Sequence, residues 1–297
     1  MKRSILTFIG ILVGVYVIFN LIDSRSEYVA EKIIWDTNQK LAKAARNPEA
    51  IPDNVYAQYA AQYSKVIKQF GRTSLAPRAA ILLGDVYLIK KDNTTARKYF
   101  QEIFKLYPEN KEILAEAAMS IGKSFEFENN WGEAEKYYEK ILADYPTTAI
   151  GLNVPLYLVN HYRAVKNAEA TAVATERAIK MYKNMAAHNA TTPLGIKALN
   201  NLTNLYIALE RWTDAVDTMG SILIKYPMRN TAPIMIKGIN QISLMYLSDS
   251  TKAVAIYEDF IKKHPKHPLN DPLKKMIDSF NTLKSQNVKI KVEEKKP

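Results

Sequence analysis

One pattern recurs along this 297-residue chain and constrains its fold more than any total. Counted from Ala96, offsets 0, 3, 4, 7, 8 and 11 fall on Ala96, Tyr99, Phe100, Ile103, Phe104 and Tyr107, and Pro108 follows at once. The same offsets from Ala134 give Tyr137, Tyr138, Ile141, Leu142 and Tyr145 before Pro146. From Ala215 they give Thr218, Met219, Ile222, Leu223 and Tyr226 before Pro227, and from Ala253 they give Ile256, Tyr257, Phe260, Ile261 and His264 before Pro265. Such offsets place the side chains on one face of a helix. Proline cannot donate to a helix interior, so it ends the run. Two weaker copies fill the gaps. One starts at Tyr59 and ends at Phe70 before Gly71; the other starts at Ala174 and reaches Met185 before Ala186, without a stop. The six starts are 37 to 41 residues apart, the spacing expected of stacked supersecondary units.

A partner helix precedes the strong copies. Leu83, Gly84 and Tyr87 lie ahead of Ala96; Ile121, Gly122 and Phe125 lie ahead of Ala134; Leu202, Thr203 and Tyr206 lie ahead of Ala215. Small residues on both helices allow close antiparallel approach, and no single pair can bury its apolar face alone. This pattern resembles the tetratricopeptide repeat (TPR). From Gly84 the family's steps land on Tyr87, Ala96, Phe100 and Pro108, and from Gly122 on Phe125, Ala134, Tyr138 and Pro146. The resemblance covers roughly residues 55–268 and departs from the family in its longer period and in residues 150–195, where the glycine and proline positions are lost.

The fold expected is therefore all-α. A right-handed superhelical TPR solenoid of about five to six helix pairs is implied over residues 55–268. A capping helix is expected over 269–284, started by Asn270 with Pro272 in its first turn, its stripe being Leu273, Met276, Ile277 and Phe280. The tail 285–297 alternates Val288, Ile290 and Val292 with charge; it reads as a disordered basic end rather than an edge strand.

At the other end, Lys2 and Arg3 precede a run over residues 5–22 without a charged side chain. At about 1.5 Å per residue it reaches about 27 Å, close to a bilayer's hydrocarbon thickness. It is long for a cleaved signal, and Ser24-Arg25-Ser26 is a poor cleavage site. The expectation is a short cytoplasmic stretch (1–4), a transmembrane signal anchor (5–22), a juxtamembrane helix and linker (23–54), and a body outside the cytoplasm. Secretion to the periplasm after signal cleavage is the alternative.

Chemistry is sparse. The absence of cysteine excludes disulfides, thiolate metal sites and a cysteine nucleophile. No phosphate loop, dinucleotide fingerprint, HExxH or G-x-S-x-G is present. His264 and His267 have an H-x-x-H spacing, but Pro265 and Pro268 preclude the helix that would aim both rings at one metal. Glu126, Glu128 and Glu133 read as solvated helix ends, the tyrosines at packing offsets as core, and Trp131 and Trp212 as staples of their own turns. No catalytic residue, metal or cofactor is expected. Of the net charge of +11, Lys2 and Arg3 supply +2 and the tail from Lys284 supplies +3, which leaves +6 spread over the body without a dense arginine patch, so nucleic acid is not expected. With no convergent polar pocket in the sequence, neither is a small-molecule substrate.

Function then falls to the groove that the first helix of each pair lines in the family. Carried over by the repeat offsets, the groove positions are Arg78 and Asp85, then Met119, Lys123 and Glu126, then Lys197, Asn200 and Asn204. Ile81 and Asp85 stand where a carboxylate clamp would need polar, uncharged groups, so capture of C-terminal carboxylates is not implied. The plan is similar to TolA-binding, outer-membrane assembly and translocon-associated TPR proteins. It implies a non-enzymatic, membrane-anchored scaffold for envelope or secretion proteins on the periplasmic side of the inner membrane. The alternative is a module that binds anionic lipid or cell-envelope polysaccharide through its basic surface.

Overall fold

A computed structural model describes the backbone of residues 2–47, 51–227 and 230–293, and side chains within these spans except for 2–11, 17–26, 44 and 286–293. Thirteen α-helices and no strand occur among the described residues. In order they are α1 (Lys2–Ala44), α2 (Asp53–Gln69), α3 (Leu75–Ile89), α4 (Asn93–Leu106), α5 (Lys111–Phe127), α6 (Trp131–Asp144) and α7 (Ala149–Ala164). There follow α8 (Ala168–His188), α9 (Pro193–Ala208), α10 (Trp212–Lys225), α11 (Ala232–Met245), α12 (Thr251–Lys263) and α13 (Asn270–Glu293). The chain divides into two compact units, Met1–Val154 and Pro155–Pro297, the division falling inside α7.

The stops written in the sequence are the stops the backbone makes. Tyr107, Tyr145, Tyr226 and His264, each before a proline, are the C-caps of α4, α6, α10 and α12, and Phe70 before Gly71 is the C-cap of α2. The starts are set by side chains that accept from backbone N–H groups the helix leaves unpaired. Asp92 accepts from Thr95 N at 3.0 Å, Asn110 from Ile113 N at 3.2 Å, Asn130 from Glu133 N at 3.3 Å and Asn167 from Ala170 N at 3.0 Å. Just before α4, α6, α8, α10 and α12, the second helices of their pairs, the chain turns through a left-handed residue: Lys91, Asn129, Lys166, Glu210 and Ser248 have φ between 50° and 66°.

In the first unit, consecutive helices from α1 to α6 are neighbours, and α3 also meets α5. Ala30, Ile34 and Leu41 of α1 pack with Tyr56, Ala60, Tyr63 and Val66 of α2 and with Ala79, Leu82, Leu83 and Val86 of α3. The glycines named above mark the tightest approaches. A Cβ on Gly84 would collide with the Phe100 ring, and one on Gly122 would stand 2.5 Å from the Tyr138 ring. Both rings are fully buried, so neither can swing away. In the second unit one core runs from Val159 through α8–α12 to Leu273 and Phe280, with Met276 and Ile277 packed on it.

The copy without a stop is out of register by one turn. Ala178, Tyr182 and Ala186 are the buried residues of α8, and Asn189 is its C-cap, whereas Ala174 is only half-buried. Ala178 is therefore the small residue, Tyr182 the ring four residues on, and Asn189 the closing position. With this correction the starts fall at 59, 96, 134, 178, 215 and 253, so one step of 44 interrupts steps of 37 and 38. Counted from Ala178, α8 closes at the same offset as α4, α6, α10 and α12, so its 21 residues against their 13 or 14 are added ahead of the small residue and not by the missing proline.

The C-terminal end differs from expectation. The backbone of α13 is helical to Glu293, where the sequence leads one to expect a helix to 284 and a disordered tail. After Pro272 no glycine or proline interrupts it, so nothing breaks the ladder at Lys284. No helix among the described residues is long and apolar enough to cross a membrane. Most side chains of the expected anchor, residues 5–22, lie outside the described residues, although the backbone there is continuous helix within α1.

Candidate partner-binding groove

Two neighbouring helices of the first unit, α3 and α5, bring five of the expected groove residues together. Arg78 of α3 pairs with Glu116 of α5, and both side chains remain part-exposed. Asp85, two turns further along α3, is held where burial pushes its carboxyl up to about 6. The Glu116 carboxylate adds to that rise, and Arg78 and Lys123 oppose it. Met119 is half-buried and Lys123 exposed on the same stretch of α5. Glu126 accepts the Tyr138 hydroxyl at 2.7 Å. This surface carries charges of both signs that largely answer one another.

Glu116 is not among the groove positions read from the sequence, yet it stands six residues before Gly122 as Arg78 stands six before Gly84. Aligning the two repeats on their glycines would have found it. Asp85 lies close enough to Tyr63 of α2 that its charge adds to burial in pushing that phenol up to about 12. Tyr63 donates to Asn38 Oδ1 at 2.5 Å. Tyr257, at the same repeat position in the second unit, donates to Asn240 Oδ1 at 2.6 Å. The polar tips of these core rings are thus satisfied by first helices, as buried hydroxyls require.

The remaining three candidates, Lys197, Asn200 and Asn204, share one face of α9 in the second unit, Lys197 and Asn204 being exposed and Asn200 half-buried. They form a patch of their own within that unit.

The three glutamates near the turn are partnered. Glu126 holds Tyr138, Glu133 pairs with Lys136 at 2.5 Å, and Glu128 receives both Arg97 terminal nitrogens at 3.0 and 3.1 Å. Arg97 also donates to Ser124 Oγ at 3.2 Å and lies 4.3 Å over the Phe125 ring, so α4 is tied to α5 by one mostly buried guanidinium. Trp131 does lie against its own helix, 5.8 Å from the Tyr138 ring. Trp212 instead stacks at 4.1 Å on Tyr246, the C-cap of α11, and so joins two repeats rather than one turn.

The two histidines are also accounted for. His264 Nε2 lies 2.8 Å from Ile224 O and His267 Nε2 lies 3.0 Å from Pro227 O. A carbonyl only accepts, so both Nε2 atoms carry hydrogen, and His267 Nδ1 accepts from Leu269 N at 3.2 Å. These rings tie the end of α12 to the end of α10. Among the described residues no group of three or more His, Cys, Asp or Glu could hold a metal ion.

These features define an all-helical stack of repeated pairs with polar faces on its first helices. The comparisons specify the repeat. Family models described as Tetratricopeptide repeat match residues 54–111 in one case and residues 116–148 and 242–267 in the other. These three stretches are thus similar to tetratricopeptide repeats. Similar solved structures include a thermophilic TPR protein of Thermus thermophilus, with 18% identity, coverage of 70% of this chain and 100% of that one, and a TM-score of 0.37. BtubC from P. vanneervenii has 14% identity, 83% and 94% coverage and a TM-score of 0.38. The TPR2AB domain of yeast Sti1, in complex with an HSP90 peptide, has 16% identity, 85% and 97% coverage and a TM-score of 0.34. No curated protein matches the chain.

Proposed function

We propose that this protein is a non-enzymatic TPR scaffold that holds protein partners beside a membrane. The observation that carries the reading is the polar face shared by α3 and α5, where Arg78, Glu116, Asp85 and Lys123 are presented by two helices of a fixed core. A surface of paired, part-exposed charges on rigid elements suits recognition of another protein, where electrostatic complementarity sets register and specificity. Tetratricopeptide repeats serve such contacts, and nothing in the face resembles a nucleophile with its base. Residues 5–22 anchor the scaffold in the inner membrane, with the body on the periplasmic side near envelope or secretion complexes. The support is the uncharged run itself and the Lys2-Arg3 pair before it.

Crosslinking in cells tests the first part. Full-length protein captures discrete partner proteins, and Arg78→Glu with Lys123→Glu removes at least one of them while far-ultraviolet circular dichroism stays unchanged. Recovery of no protein partner would sink the scaffold reading. Protease treatment of intact and osmotically opened cells tests the second part: the body is digested once the outer membrane alone is breached. Digestion only after the cytoplasm is exposed would reverse the topology.

A further inference from the structure

The one place where the repeat breaks its period also opens a cleft. Lengthened α8 presents Val173, Arg177, Lys180 and Lys183 along one face, and this face, with Tyr206 of α9 and Arg211 at the start of α10, lines a space of about 800 Å³. All of it lies within the second unit. Arg211 is oriented on both sides: its Nε donates to Asp214 at 2.7 Å and its guanidinium lies 4.8 Å over the Tyr206 ring. Lys180 and Lys183 are exposed and make no ion pair among the described residues. Val173 is 64% exposed at the end of the same stripe. Glu176 is the single acidic residue lining the space, against four basic ones.

From this arrangement we infer that the cleft between α8 and the α9–α10 turn binds an acidic segment of a partner protein, one that carries carboxylates with an apolar side chain among them. Charge complementarity selects the carboxylates. Val173 and the partly buried Ile179 give the apolar side chain a surface that phosphate or sugar alone would leave unused, while the buried Tyr206 ring seats the Arg211 guanidinium beside it. The site is separate from the α3–α5 face, and it rests on the scaffold reading only in taking a protein as the partner.

The test uses full-length protein and fluorescence anisotropy with two short synthetic peptides, one of repeating Glu-Glu-Leu and one of repeating Gln-Gln-Leu. The acidic peptide binds and the neutral one binds at least about tenfold more weakly. Lys180→Glu with Lys183→Glu weakens the acidic peptide by about tenfold or more, and Val173→Asp weakens it too. Lys262→Glu with Lys266→Glu, an equal charge change elsewhere in the unit, leaves binding within about twofold. Equal binding of both peptides, or indifference to the Lys180/Lys183 reversal, overturns the inference. So does loss of binding to phosphatidylglycerol vesicles on that reversal with no peptide binding at all, which would assign the cleft to lipid. If cellular crosslinking finds no partner while the peptide binds as stated, the scaffold reading fails and takes with it the protein as occupant, while the cleft's selectivity for acidic peptide stands. If partners are lost with the α3–α5 variants and the peptide does not bind, the cleft fails alone.

Discussion

Single residues in this protein set tolerances that can be measured. Glu210 and Lys166 are held at φ 56° and 57° with ordinary side chains, a conformation that costs a non-glycine residue about 1–2 kcal/mol. Glu210→Gly is therefore expected to stabilise the fold by about 0.5–1 kcal/mol in urea unfolding. Asn129→Gly should gain less, because asparagine visits that region more readily. Gly122→Ala runs the other way: the new methyl meets the buried Tyr138 ring, and the net loss is about 1–2 kcal/mol after the gain in helix propensity. Asp85 supplies a pH dependence. Its carboxyl is raised to about 6 when folded, so its contribution is most favourable below about pH 4 and is lost as pH rises through 6. Asp85→Asn should thus stabilise the protein at pH 7.5 by about 1–2 kcal/mol, the groove's access to water being discounted, and the gain should vanish near pH 4 in parallel urea melts. A gain that persists at pH 4 would mean the asparagine acts by packing and not by charge.

At the scale of the element, the closing position decides where a helix ends. Asn189 has φ −122° and ψ 33°, close to the −131° and 37° of Tyr145, which precedes Pro146. Ala190 is then the place of the missing proline. Its carbonyl accepts from the Tyr226 hydroxyl at 2.6 Å, a bond that proline keeps. Ala190→Pro is expected to be tolerated or to stabilise by about 0.4–1 kcal/mol. Ala186→Pro, inside α8, should cost about 3 kcal/mol or more. Thermal melts of the two variants decide the register of this repeat; the opposite ranking would restore the start at Ala174. The misregister has a plain cause. Offsets from Ala174 and Ala178 differ by one helical turn, so both place residues on nearly one face, and without a stop the sequence has no fixed point from which to count. Only the burial of Ala178 and Tyr182 distinguishes them. Trp212 is misread from sequence for a related reason: its stacking partner Tyr246 is 34 residues away, beyond any local pattern.

Across the whole molecule, the net charge of +11 leaves the partner open, since diffuse charge speaks to solubility and encounter before it speaks to identity. The proposed anchor makes a whole-molecule prediction: full-length protein stays in the membrane pellet under alkaline carbonate extraction, while a chain lacking residues 1–26 is released with its helical circular dichroism intact. Release of both would argue against an anchor. In the four copies that close on a proline, the small residues, rings and stops were determined by the sequence alone, because helical spacing is a local property that each turn of chain restates; the register of the α8 copy was decided only by packing. Which charges meet was decided only by tertiary structure. Arg78 finds Glu116, Arg97 finds Glu128, and Lys180 and Lys183 come to face Tyr206 and Arg211 through packing between helices distant in sequence. Repeat offsets name the faces, but contact across helices depends on how closely glycine and alanine let the backbones approach, and that distance is a property of the packed pair.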